Sequence, residues 1–488
     1  MPVRRLNAVV RAKVVAGGLL TWLVLPGAWA ACVSVSPLVS FNGYNGASPY
    51  AGLMQGSDGS LYGATVNGGT GFVGPGTGYG TLYRITAGGS FANLVWFNGT
   101  NGANPYSPPT QGADGNFYGV TARGGSNGLG VVYRLATNNT LTAIFSFGGT
   151  NGALPYGALV QGTDGALYGT TAYGGSSFLN GVPTSGSGTV FKVTTNGTLT
   201  SLVMFNSVNG ARPIGSLVQA ADGFLYGTTV SGGTNGNWGS LFRVATGGTA
   251  FASLFSFNGT NGANPFGGLI QGANGLLYGT TSYGGGDFNN TPSSGDGTIF
   301  QITTNGVLQT LFLFSGGVDG WNPSWAKLVQ GPDGSLYGTT FRGGTNGMGG
   351  SGNGVAFQLG TNGVLNTLLT FDPLADNGIS PYGGLILGAN DSLYGTASSG
   401  GVANSGTAFR LTPAATLQDL GYSGSTFTFG CAAFLGTTYQ AQYKTDPAAG
   451  NWNNLGGPVL ASSPFVTWSD PTAADSSRIY RVIVTLPP

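Results

Sequence analysis

The chain contains no histidine and no glutamate among its 488 residues, and its 15 acidic residues are all aspartate. Without imidazole, a Ser-His-Asp or Cys-His catalytic arrangement cannot be built, and histidine-based zinc or copper sites are excluded. Charge is scarce: Lys, Arg and Asp make up 6% of residues, so Asn, Thr, Ser and Gly must dress the surface. Four of the 16 basic residues (Arg4, Arg5, Arg11 and Lys13) fall at the N-terminus, which leaves the remainder outnumbered by aspartates. That balance lacks the basic footprint of a nucleic-acid or anionic-membrane binder. The glycine-rich stretches follow no strand-to-helix pattern and lack the Lys of a phosphate loop, so no nucleotide or other cofactor is expected.

Apolar runs are few, and the one from Val14 to Leu25 is short for a membrane span and interrupted by Gly17 and Gly18. It follows a basic stretch and precedes Pro26-Gly27 and Ala28-Trp29-Ala30. Residues 1–30 therefore read as a secretory signal peptide, with an uncleaved anchor as the alternative. The mature chain is expected to carry no transmembrane segment. Two cysteines follow the leader, Cys32 and Cys431. An oxidising compartment permits a disulfide between them. Lipidation of Cys32 is the competing reading, weakened by Trp29 where a lipoprotein signal normally has Leu.

What the chain does have is glycine, 93 residues of it, recurring at fixed places in a repeat. A Leu-Tyr-Gly-like segment occurs seven times, its tyrosines at Tyr62, Tyr118, Tyr168, Tyr226, Tyr278, Tyr337 and Tyr394. The third copy divides cleanly. Gly157 to Gly162 predicts a first strand, Leu167 to Thr171 a second, Gly188 to Thr194 a third and Leu199 to Phe205 a fourth. Asp164-Gly165 and Asn196-Gly197 sit at the two hairpin turns, where positive φ is needed. Four short antiparallel strands per period, apolar on both faces, describe a propeller blade. Val35 to Phe41 matches a fourth strand, and the last copy stops after its third. The expected fold is all-β: a seven-bladed β-propeller over 33–415, closed by the N-terminal strand, then a small β-sandwich-like module over 420–488. Its alternating stretches are Thr426 to Phe429, Thr438 to Tyr443, Phe465 to Trp468 and Arg478 to Val484.

The repeat resembles the GloVer tandem-repeat family, through seven DGxLYGTT-like segments each followed by Gly-Gly and a GTVFK-like strand. The resemblance spans roughly residues 38 to 413 and implies a secreted bacterial protein of a family with varied C-terminal anchoring. It implies no activity.

Strand alternation puts the tight turns on one face and the long loops on the other, including Gly68 to Gly80, Gly174 to Gly188, Gly284 to Gly297 and the connection Asn261 to Phe266. A binding site belongs on that variable face. The repeated Asp58, Asp114, Asp164, Asp222 and Asp333 each precede Gly and read as turn residues. A polar contact within the repeat is expected between Asp58, Asp114, Asp164 and Asp222 and, on the third strands, Arg84, Arg134, Lys192 and Arg243, and likewise between Asn274 and Gln301; Asp333 with Gln358 departs from it. The strand tyrosines read as packing, and Gln55, Gln111, Gln161, Gln219, Gln271 and Gln330 as satisfying backbone groups. Residues that break the repeat are the ligand-binding candidates: Trp238, Trp321, Trp325, Asp287, Asp319, Asp372 and Asp376, since Trp with carboxylates suits sugar recognition. The expected function is an exported non-catalytic scaffold, a monomer, binding an extracellular polysaccharide or surface protein. The alternative is a carbohydrate-active hydrolase or lyase using paired Asp, with Asp319 and Asp372 or Asp376 as the candidate pair.

Overall fold

The computed structural model describes residues 5–8 and 33–485, apart from 292, 324, 326, 345–351, 373–376, 390–391, 414–417, 424–425, 433–437, 446–450, 463–464 and 472–478. In the third repeat Val160–Gln161, Leu167–Thr171, Thr189–Val193 and Leu199–Met204 form an antiparallel sheet in chain order. Tyr168 faces Val160 on one side and Lys192 on the other. The first hairpin closes because Gly165 takes φ 78° and the Asp164 carboxylate accepts the Ala166 amide at 3.2 Å. Such a backbone is open to glycine at little cost.

Seven four-stranded sheets of this kind follow one another among the described residues, which contain no helix. The chain is thus all-β, tandem and propeller-like. Second strands are buried along their whole length and third strands nearly so, as in Leu167–Thr171 and Thr189–Val193. That pattern belongs to a sheet covered on both faces. The N-terminal strand completes the last sheet: Val33–Ser40 pairs antiparallel with Thr407–Pro413, beside Leu393–Ala397 and Ile386–Leu387.

The sheets are linked to one another by side chains at repeated positions. The amides of Ser57, Ala113, Thr163, Ala221 and Ala273 donate to Gln111, Gln161, Gln219, Gln271 and Gln330 of the next repeat at 2.8–2.9 Å. Ala389 of the seventh repeat donates to Gln55 of the first at 2.9 Å, which joins the two ends of the array. The single gap, between repeats six and seven, has a chemical cause. Pro332 stands at the donor position and has no N–H, and Leu387 stands where the acceptor Gln would be. Each of these glutamines also donates to a glycine carbonyl of its own turn, as Gln161 does to Gly165 at 3.0 Å. They satisfy backbone groups, as their position suggests. A second set runs closer to the axis: Thr170, Thr228, Thr280 and Thr339 each donate to a carbonyl of the following repeat, and Thr396 donates to Ala51 of the first at 2.8 Å.

Beyond the repeats, Gln418–Ser423, Thr426–Ala432 and Phe465–Asp470 form one sheet. Thr438–Lys444 and Ile479–Thr485 form another with the short strands Asn453–Asn454, Val459–Leu460 and Arg5–Ala8. Phe427, Phe429 and Trp468 of the first sheet and Tyr439, Ala441 and Val482 of the second share one buried core. Arg5–Ala8 lies inside the stretch read as a leader. Cys32 lies outside the described residues; Cys431 stands opposite Val466 in the ladder. Among the described residues, no helix is long and apolar enough to cross a membrane.

Candidate functional site: an aromatic cavity on the ring axis

Each connection from one sheet to the next ends in a proline followed by the short inner strand. The residue after that proline points toward the axis, and it is Tyr50, Tyr106, Tyr156, Ile214, Phe266 and Tyr382 in six repeats. In the sixth repeat an extra residue lies between Pro323 and Leu328, and Trp325 enters the ring instead. Trp325 reaches across the axis. Its ring lies 5.9 Å from Tyr106, 5.6 Å from Tyr156, 5.8 Å from Phe266 and 5.8 Å from Tyr382. Tyr50 stacks on Tyr106 at 5.8 Å and meets Tyr382 edge-on at 4.6 Å.

Two spaces meet at this cluster. On the loop side a cavity of about 260 Å³ is lined by the ring aromatics with Tyr173 and Arg212. Below it a channel of about 700 Å³ runs between the inner strands, and among the described residues Lys327 is the only charged one that lines it. The ring is drawn tight by glycines: a Cβ on Gly383 would lie 2.6 Å from Gly52 N, and one on Gly215 would lie 2.7 Å from Gly267 O. Burial pushes the Tyr156 and Tyr382 hydroxyls up to about 12, so they stay neutral donors at ordinary pH. The Arg212 guanidinium stacks over Tyr173, 5.6 Å from its ring centre.

The residues expected to bind ligand are distributed around this centre. Trp325 is in it. Trp238 is half-buried and packs edge-on against Phe288 at 5.0 Å. Trp321 lies under the Arg342 guanidinium, 5.5 Å away. Asp319 accepts both the amide and the hydroxyl of Ser315, at 2.9 and 2.8 Å, and so closes its own turn. Asp287 and Asp319 do converge on Asp296: burial first, then their two charges, hold its carboxyl above the ordinary range. Asp372 follows the strand Leu365–Thr370, and Asp376 lies outside the described residues. Neither axial space is lined by a carboxylate among the described residues.

The repeated aspartates are turn residues with a second partner. Asp58, Asp114, Asp164 and Asp222 each accept the hydroxyl of the strand tyrosine four residues on, at 2.6–3.0 Å. The expected contact with the basic residue is direct in the third repeat, where Lys192 Nζ lies 2.7 Å from Asp164. The sixth repeat rewires it: Gln358 donates to Tyr337, and Asp333 takes the Ser335 hydroxyl.

The sequence pattern singles out neither the tyrosine ring nor Lys327. Their signals are the recurrent Pro-aromatic pairs and a lysine at a position held elsewhere by Gly52, Pro108, Ala158, Ser216, Gly268 and Gly384.

Tandem four-stranded sheets with an axial cavity define a propeller-like repeat protein. The chain belongs to the Gloeobacter/Verrucomicrobia repeat family, whose model matches residues 30–182, 177–291 and 288–444. No curated protein matches it. Among solved structures it is similar to PorZ, a bacterial surface component of the type-IX secretion system of Porphyromonas gingivalis, at 15% identity and TM-score 0.50. That likeness covers 92% of this chain and 59% of PorZ. It is also similar to the extracellular domain of a one component system of B. thetaiotaomicron, at 11% identity and TM-score 0.47, over 93% of this chain and 57% of that one. A fungal alcohol oxidase in complex with copper matches at 13% identity and TM-score 0.48, over 93% and 92%.

Proposed function

We propose that the chain is an exported, non-catalytic scaffold that binds an extracellular polysaccharide at the axial cavity of its loop face. In this reading the seven sheets are the blades of a seven-bladed β-propeller over 33–415, and the two sheets of 420–488 are a small sandwich. The observation that carries the binding role is the crossing of the axis by Trp325. Four ring aromatics contact it beneath a cavity of about 260 Å³, a size suited to a sugar unit. Aromatic faces present apolar surface to the C–H face of a sugar, while the neutral tyrosine hydroxyls are placed to fix its oxygens.

Export rests on the basic and apolar leader at 1–30, and PorZ, which shares the propeller-like fold, is itself a bacterial surface component. Cleavage after Ala30 would remove the Arg5–Ala8 strand and leave Ile479–Thr485 paired with Thr438–Lys444. Trp238, Trp321, Asp287, Asp319, Asp372 and Asp376 enter the proposal as outlying contacts of a longer ligand. Binding is favoured over Asp-dependent cleavage because no described carboxylate lines the cavity.

Glycan-array screening of the protein lacking residues 1–30 tests this. Trp325→Ala and Tyr106→Ala should weaken binding roughly tenfold or more, the effect of losing about 1.4 kcal/mol. Trp238→Ala and Trp321→Ala should matter only for longer oligomers. If no glycan is retained, or if sugar is consumed rather than held, the reading is wrong; retention of a surface protein instead would transfer the same face to a protein partner.

A further inference from the structure

The axial site has charge of one sign only. Arg212 lines the outer cavity and Lys327 the channel beneath it, and among the described residues no Asp lines either space. Arg123 is close enough for its charge to act on the hydroxyls of Tyr106 and Tyr156. In a chain with nearly equal numbers of acidic and basic residues, this separation is a local property. Cations gathered in a concave site with apolar walls focus a positive potential at its mouth.

Two of these cations sit where the repeat would not put them. The residue before each connecting proline is left-handed: Ser48, Asn104, Leu154, Arg212, Asn264, Asn322 and Ser380 have φ between 53° and 58°. Asn, which occupies three of those positions, tolerates that backbone; a long side chain such as Arg is strained by it. The conformation delivers the guanidinium to the cavity rim over Tyr173, with Nε lacking a hydrogen-bond partner. Lys327 stands at the head of the inner strand, where the other repeats have small residues or a proline. Its side chain is exposed to the open channel, while the protein around it holds its ammonium below the usual lysine range by desolvation. Among the described residues no carboxylate pairs with it. An unpaired cation in a channel with apolar walls is therefore available to an anion that enters it.

Resting on the polysaccharide reading above, we propose that the axial site takes an anionic sugar. Its ring lies against Trp325 and the tyrosines, and its carboxylate or sulfate ester is held by Arg212, with the charge of Lys327 acting from beneath. A planar guanidinium offers paired donors to either oxyanion, which a lysine or a glutamine cannot match.

Calorimetric titration of the protein with a galacturonate trimer, a sulfated galactose trimer and a neutral galactose trimer tests the inference. At least one anionic trimer should bind roughly tenfold or more tighter than the neutral one, as a charged hydrogen bond requires, with a preference that weakens as salt is raised. Which of the two anionic trimers is preferred identifies carboxylate or sulfate. Arg212→Gln should abolish the preference and Lys327→Met should reduce it, each lowering affinity for the anionic trimer by more than for the neutral one. Arg212→Asn provides the control for folding, because Asn suits the left-handed backbone; it should melt no lower than the parent while losing the preference. Equal binding of all three trimers overturns this inference and leaves the polysaccharide reading standing. Binding of none removes the reading itself.

Discussion

The glutamine links between sheets can be completed at their one gap. Six of the seven junctions carry an amide-to-glutamine bond of 2.8–2.9 Å, and the seventh lacks both partners at once, with Pro332 facing Leu387. Pro332→Ala restores an amide but loosens the unfolded chain, at a cost of about 0.4–1 kcal/mol. Leu387→Gln restores the acceptor but withdraws a partly buried side chain from the cluster that includes Phe409 and Leu411, at about 1 kcal/mol. The existing bonds lie at exposed turns, where water serves a lone partner, so a new one should be worth only the net value of about 1 kcal/mol. The double variant should therefore be more stable than the sum of the two singles by about that amount. Urea unfolding of the four proteins gives the coupling directly, provided the slopes agree. A coupling below about 0.3 kcal/mol, the usual error of additivity, would refute the claim that this junction is equivalent to the other six.

Two further outcomes follow from the carboxylates. Burial and the charges of Asp287 and Asp319 raise Asp296, so its ionised form opposes folding at pH above its native value. Asp296→Asn should raise the melting temperature near pH 7 and have no effect near pH 3, where the carboxyl is protonated anyway; an equal gain at both would point to packing instead. Asp58, Asp114 and Asp164 are shifted the other way: burial alone would raise them, but it is outweighed by hydrogen bonds from their turns and tyrosines and, for Asp164, from Lys192. Their contribution is present above the ordinary carboxylate pKa and is lost as pH falls through the lower native values, below about pH 4. The triple Asn variant should show a flatter loss of melting temperature over that window, and an unchanged acid limb would count against the tyrosine contacts as stabilising.

Much of the fold was written in turn chemistry. Asp164-Gly165 and Asn196-Gly197 mark the hairpins, and the second strand runs over Leu167–Thr171 as expected. The pairing of Val33–Ser40 with Thr407–Pro413 follows from the phase of the repeat. The inner strand is shorter than its apolar stretch implies, Val160–Gln161 rather than Gly157 to Gly162. The reason is packing between sheets: a Cβ on Gly157 would lie 2.9 Å from Ile214 O, so that segment lies against the neighbouring sheet. The link between Asp164 and Lys192 was legible as a pair, but the Tyr168 hydroxyl that shares the carboxylate was not, because a strand tyrosine reads equally well as core.

The site was harder to read because it is assembled from the same position of every repeat, and a position that recurs looks structural. Tyr50, Tyr106, Tyr156 and Tyr382 are each unremarkable as a residue after proline, and only closure turns them into one aromatic wall. Symmetry alone, however, would give a ring open at its centre. What fills the centre is the side chain of Trp325 in the sixth repeat, and two residues on, Lys327 brings a charge into the channel. Trp325→Ala combined with Lys327→Gly, the residue that Gly52, Gly268 and Gly384 place at that position, is the change that should empty the axis while leaving every sheet intact. Glycine holds the Lys327 position in three other repeats, so stability should fall mainly by the ring contacts of Trp325, whereas an aromatic floor and the channel cation would be lost together. A ring built by repetition thus supplies the wall, and one departure from repetition supplies the chemistry.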